Sequence, residues 1–258
     1  MQSRPLGKTG LHVSPLGFGT FKIGRNEKIK YPQPYDLPDE ATVAKLLNGI
    51  LDLGITHIDT APAYGLSEER VGRCLSSRRH EFVLSTKIGE VFENGESHYD
   101  FSAEAIRTSV DASLIKLRTD AVDLILIHAP SDDVRVLTES PVVETLQQLK
   151  AAGKTRAIGL SGKTTTAELM ALDWADVLMV EYHAGDASHA DVIADAATRS
   201  VGVLIKKGLA SGHLPPSTSI PFVLNTPGVT GLVVGGLSLE HMAENVRIAA
   251  VCPPPRIS

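Results

Sequence analysis

Eight repeats of one pattern constrain the fold of this chain more than any other feature. Short apolar runs typical of buried strands alternate with segments whose apolar residues recur at helical spacing. The strand-like runs lie at residues 15–20, 56–60, 81–87, 122–128, 156–160, 176–182, 202–206 and 230–234. The helix-like segments lie at about 39–54, 67–75, 102–117, 141–152, 165–173, 188–199, 220–226 and 239–251. Strands that alternate with helices pair in parallel, so eight such units predict an α/β fold of the (β/α)8 TIM-barrel type.

The segments outside this pattern are few. Residues 4–13 contain two short extended pieces around Lys8-Thr9-Gly10, which predicts a short N-terminal β-hairpin. The Pro- and Tyr-rich loop at residues 21–38 is long enough to be either a lid or a mobile segment. Because no linker-like change of composition interrupts residues 1–258, we predict one domain. The alternative architecture is a doubly wound open sheet.

Charge and composition restrict the classes of function. The formal net charge is −5 and no basic tract is present, which argues against binding nucleic acid or an anionic membrane. No apolar run reaches the ~18–20 residues that span a bilayer, and the N-terminus lacks the apolar segment of a signal peptide. Cys74 and Cys252 are too few for a disulfide framework or a thiolate zinc site. We therefore expect a cytoplasmic protein with reduced, inert thiols.

Ionisable side chains follow three consecutive predicted strands. Asp59 and Tyr64 lie in the loop after strand 56–60, Lys87 ends strand 81–87, and His128 ends strand 122–128. In a parallel barrel the loops at the C-terminal strand ends carry the chemistry, so we expect these four residues to converge. Singly, each has an ordinary structural explanation as a core or surface residue. Together they predict a catalytic site.

The combination of side chains is suited to proton transfer to an oxygen atom. Tyr64 would be the general acid, and Lys87 would lower the high pKa of its phenol. Asp59 would keep Lys87 charged, and His128 would orient a carbonyl oxygen. Because side chains cannot supply a hydride, the site also needs a nicotinamide cofactor.

Two other motifs compete with this interpretation. Ala157–Thr164 fits a relaxed Walker A pattern around Lys163, with Glu181 as the only rough candidate for holding magnesium. His57 and Asp59, on one face of a strand, could join His128 and His183 in the site of a TIM-barrel metal hydrolase. The charge of Lys87 argues against a cation there, so we expect no metal.

Several motifs resemble the aldo-keto reductase family along nearly the whole chain. They are Leu6–Thr20, Asp59-Thr-Ala-Pro-Ala-Tyr64-Gly, Ser85-Thr-Lys87, Leu126-Ile-His128, Gly153–Ser161 and Glu244-Asn245. The resemblance implies a barrel that binds NADP or NAD without a Rossmann domain. It implies these cofactor-binding positions: Gly19, Thr20, Asp59, Ser161, Gly162, Met179, Lys206, Gly208, Leu209, Ser211, Gly212, Gly235, Gly236, Ser238, His241, Glu244 and Asn245.

Some of these positions depart from the family pattern. Gly162, Met179 and Lys206 replace the usual asparagine, glutamine and stacking aromatic that hold the nicotinamide. Gly235 and His241 stand where the family often places Lys and Arg for the 2′-phosphate, although a helix N-terminus attracts phosphate by itself. The resemblance therefore favours NADP(H) on family habit, with NAD(H) as the second possibility.

The expected function is NAD(P)H-dependent interconversion of a small carbonyl compound and an alcohol. A regulatory, redox-sensing cofactor-binding subunit is the alternative from a non-enzymatic class. Substrate specificity should lie in the loops at 21–38, 88–100 and 129–140 and in the tail Cys252–Ser258.

Overall fold

The structure, a computed structural model, describes residues 1–29 and 31–252. The strands within that range are β1 Arg4–Pro5, β2 His12–Val13, β3 Leu16–Gly19, β4 His57–Asp59, β5 Val83–Ile88, β6 Glu90–Glu93, β7 Glu96–Tyr99, β8 Val122–His128, β9 Thr155–Ser161, β10 Val177–Glu181, β11 Gly202–Lys206 and β12 Gly231–Val234. The α-helices there are α1 Glu40–Asp52, α2 Ser67–Leu75, α3 Ala103–Leu117, α4 Asp133–Glu139, α5 Val142–Ala151, α6 Thr165–Ala171, α7 Ala190–Thr198, α8 Pro216–Leu224 and α9 Leu239–Ala250.

Eight of the strands in the described residues form a closed parallel barrel, as predicted. Its spatial order is β3-β4-β5-β8-β9-β10-β11-β12, with β12 pairing again with β3. The strand register places Gly19 beside Asp59, Lys87 beside Leu126, and His128 beside Ser161. Because parallel strands end on the same side of a barrel, the functional side chains share one rim.

Helix α1 shows how local sequence sets the element boundaries. Asp39 Oδ1 accepts a hydrogen bond from the backbone N–H of Thr42 at 2.7 Å, which caps the N-terminus. Gly54, with φ of 80°, takes the left-handed conformation that ends the helix. Val43, Leu47 and Ile50 are fully buried on the face that covers the barrel.

The N-terminal hairpin closes the end of the barrel opposite the rim. Strand β1 pairs antiparallel with β2, as the Lys8-Thr9-Gly10 turn predicted. Leu6 and Val13 are fully buried, in one apolar cluster with Leu124 and Leu204 from the barrel interior. This interior packing fills the barrel from below, so the rim holds the open pocket.

Three features differ from the pattern of the sequence. Helix α8 begins at Pro216, four residues before the predicted 220–226, because a proline suits the first helical turn. The β6–β7 hairpin and helix α4 lie in segments that had been predicted only as loops. Both are short insertions after barrel strands, outside the repeat that defines the barrel. The tail prediction falls largely on residues 253–258, outside the described residues.

None of the helices in residues 1–29 and 31–252 combines the length and the apolar character needed to cross a bilayer.

Candidate active site

The four predicted catalytic residues line one pocket at the C-terminal rim of the barrel. Asp59, Tyr64, Lys87 and His128 surround a cavity of about 190 Å³. The remaining walls are Gly19, Phe21, Tyr31, Ser161, Lys163, Met179, Lys206, Lys207, Val233 and Gly235. Six predicted cofactor positions thus reach this pocket: Gly19, Asp59, Ser161, Met179, Lys206 and Gly235.

Asp59 and Lys87 form a buried ion pair at the base of the pocket. Lys87 Nζ donates to Asp59 Oδ1 at 2.9 Å and Oδ2 at 2.8 Å, and to the Thr60 carbonyl at 2.9 Å. Burial by itself would lower the pKa of Lys87, but Asp59 and Tyr64 raise it above its ordinary value. Lys87 is therefore a permanent cation in a dry environment.

Tyr64 lies beside this cation. Lys87 Nζ is 4.7 Å from the centroid of the Tyr64 ring. The Phe21 ring packs edge-on against Tyr64 at 5.2 Å between centroids, and the His128 ring does so at 6.0 Å. Burial raises the pKa of the Tyr64 phenol, and this effect outweighs Lys87, which lowers the pKa as predicted. The phenol therefore carries its proton at neutral pH.

His128 has a partner that the sequence did not reveal. Glu90 Oε2, at the start of β6, lies 2.8 Å from His128 Nδ1. The ring nitrogen is not aligned with the oxygen as in a linear hydrogen bond, so the attraction is chiefly electrostatic. Burial lowers the pKa of His128 below its ordinary value, and Glu90, which raises the pKa, offsets only part of this effect. Burial would raise the pKa of Glu90, but His128, Ser97 and Arg25 bring it down to about 2.

His57 belongs to the support of the site. Its Nε2 lies 2.9 Å from Ser85 Oγ, and Ser85 Oγ donates to Asp59 Oδ1 at 2.8 Å. His57 is 1% exposed, and burial is the main cause that lowers its pKa to about 4. The neutral ring orients Ser85, and Ser85 in turn holds the Asp59 carboxylate in place. Ser85, on the strand beside β4, could be anticipated only from the register.

Lys206 forms hydrogen bonds at positions that the family resemblance assigns to binding the nicotinamide. Its Nζ donates to Ser161 Oγ at 3.0 Å and to the Gly162 carbonyl at 2.5 Å. Met179, in place of a polar side chain, is 2% exposed on the neighbouring strand β10. This end of the pocket thus has a lysine amine where the family places an aromatic ring.

The other predicted cofactor positions lie outside the pocket lining. Thr20 donates through Oγ1 to the Asp59 carbonyl at 3.0 Å, a structural role. Asn245 is 6% exposed and its amide faces Met242 Sδ at 3.9 Å. The remaining positions are on the adjacent loops and on α9: Gly162, Gly208, Leu209, Ser211, Gly212, Gly236, Ser238, His241 and Glu244.

Two competing interpretations lose support from the contacts. The backbone N–H groups of Lys163 and Thr164 donate to Asp133 Oδ2 at 2.7 and 2.9 Å, so they are not directed at a phosphate. Glu181 forms an ion pair with Lys207. Among the described residues, no group of three or more His, Cys, Asp or Glu side chains is arranged to hold a metal ion.

Two segments beside the pocket have the geometry to receive the phosphates of a nicotinamide nucleotide. Helix α9 begins with Ser238 capping the His241 N–H at 3.2 Å, and its first turn can receive a phosphate. The loop after β11 contains Ser211 and Gly212 in the left-handed conformation, with φ of 57° and 94°, a geometry that can turn backbone amides toward an anion. These groups would hold a nicotinamide nucleotide if Lys206 released Ser161 Oγ to the carboxamide.

Sequence comparison shows the family to which this barrel belongs. The profile of the Aldo/keto reductase family matches residues 15–216, so the chain belongs to this family of oxidoreductases. L-galactose dehydrogenase from Arabidopsis thaliana is 34% identical over 226 residues, 83% of this chain and 67% of that protein. Aldo-keto reductase YhdN from Bacillus subtilis is 34% identical over 62% of this chain and 47% of its own length.

Solved structures show the same relationship. A candidate aldo-keto reductase from Pseudomonas aeruginosa is 44% identical, with a TM-score of 0.89, over 96% of this chain and 94% of its own. The holo form of an aldo-keto reductase from Bacillus halodurans is 26% identical, with a TM-score of 0.84, over 99% and 93%. The chain spans two thirds of its Arabidopsis relative and about half of the YhdN protein.

Proposed function

We propose that the chain is an NAD(P)H-dependent oxidoreductase that interconverts a small aldehyde or ketone and the corresponding alcohol. The observation that carries this proposal is the Lys87 ammonium, held by Asp59 and placed 4.7 Å from the Tyr64 ring. A buried cation beside a protonated phenol is suited to donating a proton as negative charge develops on a carbonyl oxygen. The reduced nicotinamide, when bound, supplies the hydride.

The residues have distinct roles in carbonyl reduction. The Tyr64 hydroxyl donates its proton to the developing alkoxide, and Lys87 stabilises the phenolate that remains. His128 stabilises negative charge on the substrate oxygen through a ring N–H. Because Glu90 favours a proton on Nδ1, donation from Nε2 requires the protonated ring. Alcohol oxidation uses the same groups in reverse.

The cofactor would lie between the pocket and the N-terminus of α9. Gly19, Ser161, Met179, Lys206 and Gly235 would surround the nicotinamide. The phosphates and the adenosine would lie against the outer positions that the family resemblance assigns to them: Gly208, Leu209, Ser211, Gly212, Gly236, Ser238, His241, Glu244 and Asn245. We infer that NADP(H) is preferred and NAD(H) is second. Related proteins include an NADH-specific methylglyoxal reductase of Escherichia coli, 34% identical over 62% of this chain.

Replacement of Tyr64 tests the proton-donor role. Tyr64→Phe removes the hydroxyl and keeps the ring against Phe21, so carbonyl reduction should fall by about 10²- to 10⁴-fold. Binding of NADPH, measured by fluorescence, should change little. Tyr182→Phe, which removes a hydroxyl from a ring that stacks on Phe222 outside the pocket lining, is the matched control. Near-normal turnover of Tyr64→Phe would show that another group donates the proton.

A further inference from the structure

Lys206 differs from Lys87 and Lys207, two other lysines of the pocket, in its partners. Lys87 is paired with Asp59, and Lys207 is paired with Glu181. In contrast, the hydrogen-bond partners of Lys206 within residues 1–29 and 31–252 are both neutral, the Ser161 hydroxyl and the Gly162 carbonyl. The side chain is partly buried at the end of β11 and lines the same cavity as Tyr64 and His128. It is therefore reachable by a small molecule and is not neutralised by a carboxylate.

The hydrogen-bond geometry suits an uncharged amine. A neutral primary amine has two N–H groups and one lone pair, whereas an ammonium has three N–H groups and no lone pair. Lys206 Nζ makes two donor bonds, at 3.0 Å to Ser161 Oγ and 2.5 Å to the Gly162 carbonyl. Two neutral acceptors satisfy both N–H groups of an uncharged amine and leave its lone pair available.

The surrounding charges act in the same direction. Burial lowers the pKa of Lys206 to about 7, together with the nearby ammonium groups of Lys163 and Lys207. Glu168 on α6 and Glu181 on β10 raise the pKa but do not offset burial. The other titratable groups that interact with Lys206 are His128 at the end of β8 and His189 before α7. About half of the amine is thus uncharged at neutral pH.

We propose that Lys206 is a nucleophile that captures small aldehydes or ketones as an imine in this pocket. The amine nitrogen adds to the carbonyl carbon, and the carbonyl oxygen becomes a hydroxyl by taking up a proton. Loss of that hydroxyl as water, with loss of the remaining N–H proton, forms the C=N bond. No oxidant or reductant is consumed. The cavity of about 190 Å³ restricts the captured compound to a few carbon atoms.

The same pocket contains groups that can move the required protons. Tyr64, with its phenol protonated, can donate to the departing oxygen, and His128 can accept or donate through its ring. The reaction requires the lysine and the carbonyl compound alone, so it stands apart from the nicotinamide-dependent activity.

Reductive trapping of the full chain tests the proposal in the absence of any nicotinamide. The protein is incubated with glycolaldehyde and cyanoborohydride at pH 7, digested, and the modified lysine is located by mass spectrometry. Lys45, an exposed lysine on α1, serves as the internal reference. Lys206 should be labelled at least about 100-fold faster than Lys45, because an ordinary lysine with pKa near 10.4 is almost entirely protonated at pH 7.

Variants separate nucleophilic capture from general accessibility. Lys206→Arg keeps a cation and Lys206→Met keeps an apolar stem, and both should lose the fast-labelled site. Lys163→Met should shift the midpoint of the labelling rate of Lys206 to higher pH, since Lys163 lowers its pKa. Equal labelling of Lys206 and Lys45 at pH 7 would overturn the proposal. Saturable NADPH binding without trapping would leave the oxidoreductase function intact and remove only the imine chemistry.

Discussion

At the residue scale, Glu90 determines what His128 can contribute. A carboxylate 2.8 Å from Nδ1 favours a proton on that nitrogen and raises the pKa of the ring against the effect of burial. Only the protonated ring also presents an N–H at Nε2 to the substrate oxygen. Carbonyl reduction should therefore fall as the pH rises through the pKa of His128.

Glu90→Gln should move that pH dependence. Removing the carboxylate lowers the pKa of His128, so the midpoint at which kcat/KM falls should shift to lower pH by about one unit or more. The pH profile of carbonyl reduction measures the shift. Glu93→Gln, on the exposed part of the same strand, is the control. A Glu90→Gln profile lowered in height but unmoved in pH would mean that Glu90 only supports the local structure.

The four residues with a chemical reason to occur together could be predicted from the sequence. Asp59, Tyr64, Lys87 and His128 each follow a strand-like run, and parallel pairing brings strand ends to one rim. Glu90, Ser85 and Phe21 could not be found in this way, because their roles depend on register and on a loop hairpin. The bond from Lys206 to Ser161 depends on side-chain conformations across two strand ends and had no signal in the sequence.

At the element scale, Asp133 joins two of the loops at the rim. This residue, at the start of α4, is fully buried. Its Oδ2 accepts from the backbone N–H groups of Lys163 and Thr164, and its Oδ1 accepts from Thr164 Oγ1 at 2.7 Å. Thr164 in turn caps helix α6. One carboxylate therefore holds the loop that carries Lys163 into the pocket.

Asp133→Asn should destabilise the chain. An amide retains one acceptor oxygen and turns its NH2 group toward existing donors, leaving buried donors without partners at a cost of about 1–3 kcal/mol. Urea denaturation of the two forms measures the difference in the free energy of unfolding. The matched control is Asp132→Asn, at the exposed preceding position whose side chain makes no capping bond. Equal stability of Asp133→Asn and the parent chain would show that the loop is held by other contacts.

The elements themselves were predicted unequally well. Strand β8 and strand β11 have the bounds that their apolar runs indicated, since a buried parallel strand is apolar on both faces. The predicted start of helix α8 was wrong because the helix begins at prolines, which give no signal of apolar periodicity. The β6–β7 hairpin has exposed and polar residues throughout much of its length, so its pattern resembled a loop.

At the scale of the whole molecule, a titratable group in the core links stability to pH. His57 lies in the barrel wall with its pKa lowered from 6.5 to about 4, chiefly by burial. Between those two pH values the unfolded chain binds a proton at His57 and the folded chain does not. Stability from this residue is therefore present above pH 6.5 and is lost as the pH falls toward 4, by about 3 kcal/mol in total.

His57→Gln should reduce this acid sensitivity. A glutamine amide can replace Nε2 as the partner of Ser85 Oγ without titrating, so the free energy of unfolding should change less between pH 6.5 and pH 4 than in the parent chain. Chemical denaturation at several pH values measures the slope. His12→Gln, at the exposed position of strand β2, should keep the parent slope. An identical slope in His57→Gln would mean that His57 protonates as readily in the folded chain as in the unfolded chain.

The proposed function requires that this barrel bind a nicotinamide cofactor beside Tyr64. Titration of the purified protein with NADPH and, separately, with NADH, followed by fluorescence, tests it before any substrate is known. Saturable binding of both, with NADPH bound more tightly, is the predicted result. If neither nucleotide bound, the proposed function would be contradicted. That result would mean that Lys206 keeps its hydrogen bond to Ser161 and that the nicotinamide site is lost.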